Sequence, residues 1–109
     1  MKYEIEVSAE ALREDVDLRC YMEAIQMAVN RVMHSYYKHP YISARFPDNV
    51  DALGCLRARL AEYEKTGNTE MLIDCANYCL IEAILPGIPG AHFKVLDPSE
   101  APDTVWRTE

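Results

Sequence analysis

The chain has 109 residues and a formal net charge of −7, with 50% hydrophobic and 27% charged residues. This length suits one domain, and the composition is that of a globular protein, which excludes disordered and collagen-like chains. The acidic balance argues against a general nucleic-acid-binding protein, because phosphate backbones are bound by a basic face. The apolar runs are shorter than the roughly 18 residues of a membrane span, and the N-terminus lacks a signal-peptide core, so we expect a cytoplasmic protein.

The N-terminal part predicts a short arm followed by a long helix. Alternating apolar residues over 2–7 indicate a strand or extended arm, and Ser8 is placed to cap a turn that runs to Glu14. The first main helix is predicted over 17–37, with Asp17 as its N-cap. Its apolar stripe consists of Leu18, Met22, Ile25, Val29, Val32 or Met33, and Tyr36. His39-Pro40 ends this helix, because proline disfavours the helical conformation in the residue before it.

Two further helices are predicted over residues 48–66 and 69–85, after an ordered loop over 39–47. Asp48 is a suitable N-cap for the second helix, and Gly67 is suited to end it in the left-handed conformation. The buried stripe of this helix is expected to consist of Leu53, Leu56, Leu60 and Tyr63. Asn68 or Thr69 caps the third helix, which the Pro-Gly segment at 86–90 stops.

These elements predict an all-α fold, a compact bundle of three main helices with an N-terminal arm and an extended C-terminal tail. Residues 1–93 are expected to form a single helical domain and residues 94–109 an extended acidic tail. The third helix is apolar on nearly every side, so it is either central in the bundle or shared with another subunit. Because three helices would hardly cover it, we expect a homodimer that completes a larger bundle.

The sequence contains four cysteines: Cys20, Cys55, Cys75 and Cys79. Each falls within an apolar helical pattern, where a free thiol packs as a small hydrophobic group. No export signal accompanies them, which disfavours disulfides. Cys75 and Cys79 lie one helical turn apart, so a zinc site is the alternative, but the usual Cys-x-x-Cys knuckle is missing. We therefore expect free thiols in the core and no bound metal.

A polar stripe interrupts the apolar third helix. Glu70, Asp74 and Asn77 are spaced by four and three residues and so share one face. Ionised side chains are rarely buried unless they are paired or bind a cation. Three interpretations stay open: a solvent-facing stripe, a structural pair with an arginine such as Arg31 or Arg57, and a ligand or metal site.

The acidic residues are unevenly distributed along the chain. Residues 1–23 contain seven acids and three bases, whereas residues 24–47 contain no acid. Within this gap the segment 31–46 combines basic with aromatic side chains. Cationic groups bind phosphate or carboxylate and aromatic rings stack on bases, although cations are also favoured at a helix C-terminus for electrostatic reasons alone.

The functional interpretation of these two features is a pocket for a small anionic, nucleotide-like ligand. Its ligand-binding residues are predicted to be Arg31, His34, Tyr37, Lys38, Tyr41, Arg45, Asp74 and Asn77. In this interpretation Arg31, Lys38 and Arg45 hold the phosphates. Tyr37 or Tyr41 stacks on the base.

The segments SARFPDNVDAL at 43–53 and NTEMLIDCANYCLIEAILPGIPGAHF at 68–93 resemble a family of small uncharacterised phage and prophage proteins. The resemblance covers residues 17–93. It implies a setting, the cytoplasm of a bacterial host, rather than a reaction. Small viral proteins of this kind often inhibit or sequester host defence components, so a host protein is the second expected partner.

The segment LIDCANY at 72–78 resembles the last metal-binding helix of MazG-like nucleotide pyrophosphohydrolases, all-helical dimers that use magnesium. Asp74 matches the aspartate of that helix, but Glu70 precedes it by four residues instead of three. The Glu-Glu-x-x-Glu run of an earlier helix is missing, since Glu62 and Glu64 point to different faces. The resemblance implies magnesium-dependent release of pyrophosphate with Asp74, Glu70 and Glu62 at the metal.

The leading prediction is a non-catalytic binding protein that recognises a small anionic ligand or a host protein, without a cofactor, a membrane or nucleic acid as partner. One alternative is the MazG-like pyrophosphohydrolase with magnesium as its cofactor. The other is an acidic inhibitor that mimics nucleic acid and binds a basic host protein.

Overall fold

A computed structural model describes residues 8–107 of the chain. The α-helices are α1 (Ala9–Glu14), α2 (Val16–Lys38), α3 (Ala52–Thr66) and α4 (Glu70–Ile84), and a 3-10 turn spans Ile42–Ala44. No strand occurs between residues 8 and 107, and the predicted all-α fold is confirmed. The arm predicted over 2–7 lies outside the described residues. None of the described helices is long and apolar enough to cross a membrane.

The first two helices begin at side-chain caps. The hydroxyl of Ser8 accepts a hydrogen bond from the backbone N–H of Ala11 at 3.2 Å, which confirms the predicted capped turn. The carboxylate of Asp15 accepts from the backbone N–H of Leu18 at 3.0 Å and caps α2. The predicted cap Asp17 is therefore wrong. It lies in the first turn of α2, where its negative charge is favourable to the helix dipole.

The helix α3 begins four residues later than predicted. Asp48 is wrong as its N-cap, because the chain still turns there: the backbone N–H of Asn49 donates to the carbonyl of Arg45 at 2.9 Å. Asp51 holds the N-cap position instead. At the other end, Gly67 closes α3 with a left-handed φ of 76°, as its sequence context predicts.

The helix α4 is central, because it packs against both α3 and α2. A central position is one of the two that its all-round apolarity predicted. The main core lies where α4 meets the start of α3 and the preceding loop. Its buried members are Phe46, Ala52 and Ile81, and the half-buried side chains around them are Ile42, Val50, Tyr78 and Leu85.

Few side chains of the described part are buried. The buried hydrophobic residues are Ala28, Phe46, Ala52, Cys75 and Ile81. The stripe predicted to be buried on α3 is only partly so, since Leu60 is 43% exposed. By helical geometry α4 covers the face that carries Ala52 and Leu56, and Leu60 lies at the edge of that face. Residues 86–107 form no helix and are exposed, so the irregular segment begins earlier than the predicted tail.

The four cysteines are free thiols, as predicted, but they do not all lie in the core. Cys75 is buried and Cys55 half-buried, whereas Cys20 and Cys79 are exposed. The prediction of core packing is therefore wrong for the exposed pair, because an apolar pattern does not show which turns of a helix its neighbours cover. Between residues 8 and 107 no three or more His, Cys, Asp or Glu side chains are grouped to hold a metal ion.

The cysteines are expected to differ in their reaction with a thiol reagent such as DTNB. Burial raises the pKa of the Cys75 thiol, and Cys79 and Asp74 raise it further. A higher pKa means less thiolate, the reactive form, so Cys75 should react only after unfolding. In a timed assay at neutral pH, Cys20→Ser and Cys79→Ser should each have one rapidly reacting thiol fewer than the unmodified chain. The expectation is wrong if Cys75→Ser also removes a rapidly reacting thiol.

Candidate functional site

A cavity of about 520 Å³ lies between the C-terminal half of α2, the face of α4 opposite it, and the loop that follows α2. Its side chains from the helices are Asn30, Arg31, Val32, His34, Ser35 and Lys38 of α2, Arg59 of α3, and Asp74, Asn77, Tyr78 and Ile81 of α4. The loop contributes Arg45 and Phe46. Most of these positions follow helical spacing, so each helix presents one face to the cavity.

The carboxylate of Asp74 lies between two arginines. One oxygen accepts a hydrogen bond from Arg31 Nε at 2.8 Å, and the other accepts from Arg59 Nε at 3.2 Å. Arg31 Nη1 also donates to Glu70 Oε1 at 2.8 Å. The side chain of Asp74 is only 15% exposed, whereas the arginine side chains are 43% and 44% exposed. This network of hydrogen bonds connects α2, α3 and α4.

The polar stripe on α4 is thus engaged by arginines, the second of the three interpretations that the sequence left open. Arg31 is one of the two partners named from the sequence. The second arginine that binds Asp74 is Arg59 and not the predicted Arg57. Arg59 follows Leu56 by three residues and so shares its α4-facing side, whereas Arg57 points to the adjacent side. Burial lowers the pKa of Arg31, but the attraction of Asp74 and the hydrogen bonds to Glu70 and Asp74 raise it overall, so the guanidinium stays charged.

Asn77 has a different role from the two acids beside it. Its amide Nδ2 donates to the backbone carbonyl of Ala28 at 3.0 Å. Ala28 is the buried residue of α2, so this bond fixes the middle of α2 against α4. Asn77 consequently lines the cavity while it also holds the helices that form its walls.

The backbone around Arg45 is held by hydrogen bonds on both sides. Its N–H donates to the carbonyl of Ile42 at 3.0 Å, and its own carbonyl accepts from the N–H groups of Asn49 and Val50, each at 2.9 Å. The guanidinium lies over the ring of Phe46, 5.4 Å from its centroid. Its Nε is buried and has no hydrogen-bond partner among residues 8–107. A buried donor of this kind costs about 1–3 kcal/mol when it stays unpaired.

Six of the eight predicted ligand-binding residues line the cavity: Arg31, His34, Lys38, Arg45, Asp74 and Asn77. The two tyrosines do not. Tyr37 is 78% exposed and Tyr41 is 73% exposed. Tyr37 follows Ser35 by two residues and therefore points to the opposite side of α2. Tyr41 precedes the 3-10 turn with a left-handed φ of 65°.

Of the lining residues outside the predicted set, Arg59 adds a cation to the cavity and Tyr78 adds an aromatic ring. Tyr78 follows Asp74 by four residues, and this spacing was the available signal. Its ring lies 6.4 Å from that of Phe46, so two aromatic side chains form one wall of the cavity. Burial raises the pKa of Tyr78, and Cys55 and Asp74 also raise it while Arg59 lowers it, so the phenol is neutral at physiological pH.

The cavity differs in charge from the chain as a whole. Its lining holds four permanent cations, which are Arg31, Lys38, Arg45 and Arg59, and a single carboxylate, Asp74. The chain carries a formal net charge of −7. The acid-free segment and the polar stripe therefore converge on one basic cavity.

Comparison with protein-family models, curated proteins and solved structures gives no match for this chain. The resemblances to phage proteins and to MazG-like enzymes stay predictions. The resemblance to MazG-like enzymes assigns the carboxylates of Glu70 and Asp74 to magnesium. In the structure both carboxylates accept hydrogen bonds from Arg31.

Proposed function

We propose that this chain is a binding protein for a small anionic, nucleotide-like ligand held in the cavity between α2 and α4. The observation that carries the proposal is the cluster of four permanent cations around one carboxylate in an otherwise acidic protein. Guanidinium and ammonium groups form charge-assisted hydrogen bonds with phosphate or carboxylate oxygens, which are stronger than neutral ones.

The single carboxylate of the cavity does not oppose an anion strongly. Both oxygens of Asp74 already accept hydrogen bonds from Arg31 and Arg59. Its charge is compensated by these two cations, and it holds them side by side. Lys38 and Arg45 have no carboxylate within ion-pair distance among the described residues, so their charges are available to a ligand.

The size and walls of the cavity suit a nucleotide better than a simple inorganic anion. Its volume of about 520 Å³ falls within the range of small-molecule sites. Tyr78 offers a partly exposed ring on which a base can stack, and this replaces the sequence-based assignment of stacking to Tyr37 or Tyr41. The acidic remainder of the surface repels long polyanions, which favours a small ligand over nucleic acid.

Arg45→Ala is expected to weaken binding of ATP at least about ten-fold, because a charge-assisted hydrogen bond contributes about 1.5–3 kcal/mol. Isothermal titration calorimetry in magnesium-free buffer should show binding of ATP and of tripolyphosphate to the unmodified chain. Adenosine, which lacks phosphate, should bind much more weakly. Removal of the Arg45 side chain takes away one of the two cavity cations without a carboxylate at ion-pair distance among the described residues.

Arg57→Ala is the matched control, since Arg57 is an exposed arginine of α3 outside the cavity lining. It should leave the affinity for ATP unchanged. Equal affinities for Arg45→Ala, Arg57→Ala and the unmodified chain would overturn the assignment of this cavity. Absence of any heat of binding with both ATP and tripolyphosphate would overturn the proposed function itself.

A further inference from the structure

Four charged side chains at the cavity form an ion-pair network in which the signs alternate. Arg31 donates hydrogen bonds to Glu70 and to Asp74, each at 2.8 Å. Asp74 also accepts a hydrogen bond from Arg59 at 3.2 Å. Two guanidinium charges thus stand against two carboxylate charges, so the network is neutral as a whole. A neutral network attracts an anion far less than two unpaired arginines would.

Two cations of the cavity lining remain outside this network. Lys38 and Arg45 have no carboxylate at ion-pair distance among the described residues, so they leave a formal charge of +2 for a ligand. Lys38 is the last residue of α2, where the helix dipole places a negative charge of about one half. This partial charge lowers the positive charge that a ligand meets. The cavity therefore compensates the charge of a single phosphate and not the larger charge of a triphosphate.

We infer that the ligand is a nucleoside monophosphate, with its one phosphate held by Lys38 and Arg45. This inference rests on the proposed function and narrows the ligand to one class. A phosphate monoester carries a charge of about −1.5 to −2 at neutral pH, which matches the charge that the two cations leave uncompensated. Further phosphates would have to compete with the carboxylates of the network for its arginines. Outside the cavity they would meet the field of a chain with a net charge of −7.

The aromatic wall of the cavity lies beside one of these two cations. The guanidinium of Arg45 lies 5.4 Å from the centroid of the Phe46 ring, and the centroid of the Tyr78 ring lies 6.4 Å from the same point. Arg45 and Tyr78 are therefore neighbours of one ring. In a nucleoside monophosphate a single sugar joins the base to the phosphate. Such a compact ligand can place its phosphate at Arg45 and its base on Tyr78 at the same time.

Calorimetry with AMP, ADP and ATP in magnesium-free buffer tests the inference, at about pH 8, where a phosphate monoester carries a charge of about −2. AMP should bind at least as tightly as ATP, and adenosine should bind much more weakly than either. Tighter binding of ATP than of AMP would overturn the inference and leave the proposed function standing. Absence of binding by all three nucleotides and by tripolyphosphate would overturn the proposed function as well.

Glu70→Gln tests the neutrality of the network, because it removes one carboxylate and raises the uncompensated charge by one. It should tighten the binding of ADP relative to AMP by about three-fold or more. Glu64→Gln is the matched control, since Glu64 is an exposed acid of α3 outside the cavity lining and its loss changes the net charge equally. It should leave the ratio of the two affinities unchanged. An equal shift in both variants, or no shift in Glu70→Gln, would contradict the inference.

Lys38→Met tests the position of the phosphate without breaking an ion pair of the described residues. It should weaken the binding of AMP by about five-fold or more, the effect of one unit charge at about 4 Å in water. Lys65→Met removes the same charge from the exposed last turn of α3, outside the cavity lining, and should leave the affinity unchanged. Equal affinities of the two variants for AMP would show that Lys38 does not hold the phosphate and would overturn the inference.

Discussion

Replacing Phe46 with alanine is expected to lower the free energy of unfolding by about 3–5 kcal/mol, the usual cost of deleting a buried aromatic side chain. Phe46 is 3% exposed and is the largest of the buried residues. It joins Ala52 of α3 to Ile81 of α4, and the other members of this cluster are only half-buried. A domain of this size is stable by about 5–15 kcal/mol, so this single change removes a large fraction of the total.

Phe93→Ala provides a matched control, because Phe93 is 91% exposed and is the only other phenylalanine. Its free energy of unfolding should change by no more than about 0.5 kcal/mol. Urea denaturation, followed by far-UV circular dichroism at one protein concentration, measures both variants. Similar midpoints for Phe46→Ala and Phe93→Ala would show that the core lies elsewhere.

The helices follow from local patterns in the sequence. Apolar spacing, His39-Pro40 and Gly67 act over a few residues, and so the ends of α2 and α3 at Lys38 and Thr66 lie within one residue of prediction. The start of α3 depends on more than a suitable N-cap residue. The loop before it closes on the carbonyl of Arg45, which receives two backbone hydrogen bonds, and this delays the helix to Ala52.

The cavity depends on contacts that no local pattern encodes. Arg31 and Asp74 are 43 residues apart, and their meeting requires the crossing of α2 and α4. The sequence identified both residues as candidates because their surroundings were unusual: an acid-free segment and a polar stripe in an apolar helix. Arg59 was missed because a single arginine on an amphipathic helix does not differ in any unusual way from the residues around it. An amphipathic pattern also shows which face of α2 favours burial, but not which element covers it.

Asp74→Ala is expected to lower the free energy of unfolding by about 1–3 kcal/mol. Breaking a fully buried ion pair costs about 3–5 kcal/mol, and the value is smaller here because solvent screens the partly exposed arginines. Asp74 is 15% exposed and bonds to both Arg31 and Arg59, so its loss leaves two adjacent cations without a carboxylate between them. Glu70→Ala is the control. The Arg31–Glu70 pair is exposed on both sides, and its loss should cost no more than about 1 kcal/mol.

A substitution of Asp74 also allows the stability of the bundle and ligand binding in the cavity to be measured separately. Asp74 supplies the only negative charge in the lining. If its task is to position Arg31 and Arg59, Asp74→Asn should lower stability but bind tripolyphosphate at least as tightly as the unmodified chain, because the cavity becomes more positive. Lower affinity in a variant that is still helical by circular dichroism would instead place Asp74 among the groups that contact the ligand. Urea denaturation and calorimetry on the same samples distinguish these outcomes, and Arg31→Met in both backgrounds completes a double-mutant cycle for the ion pair.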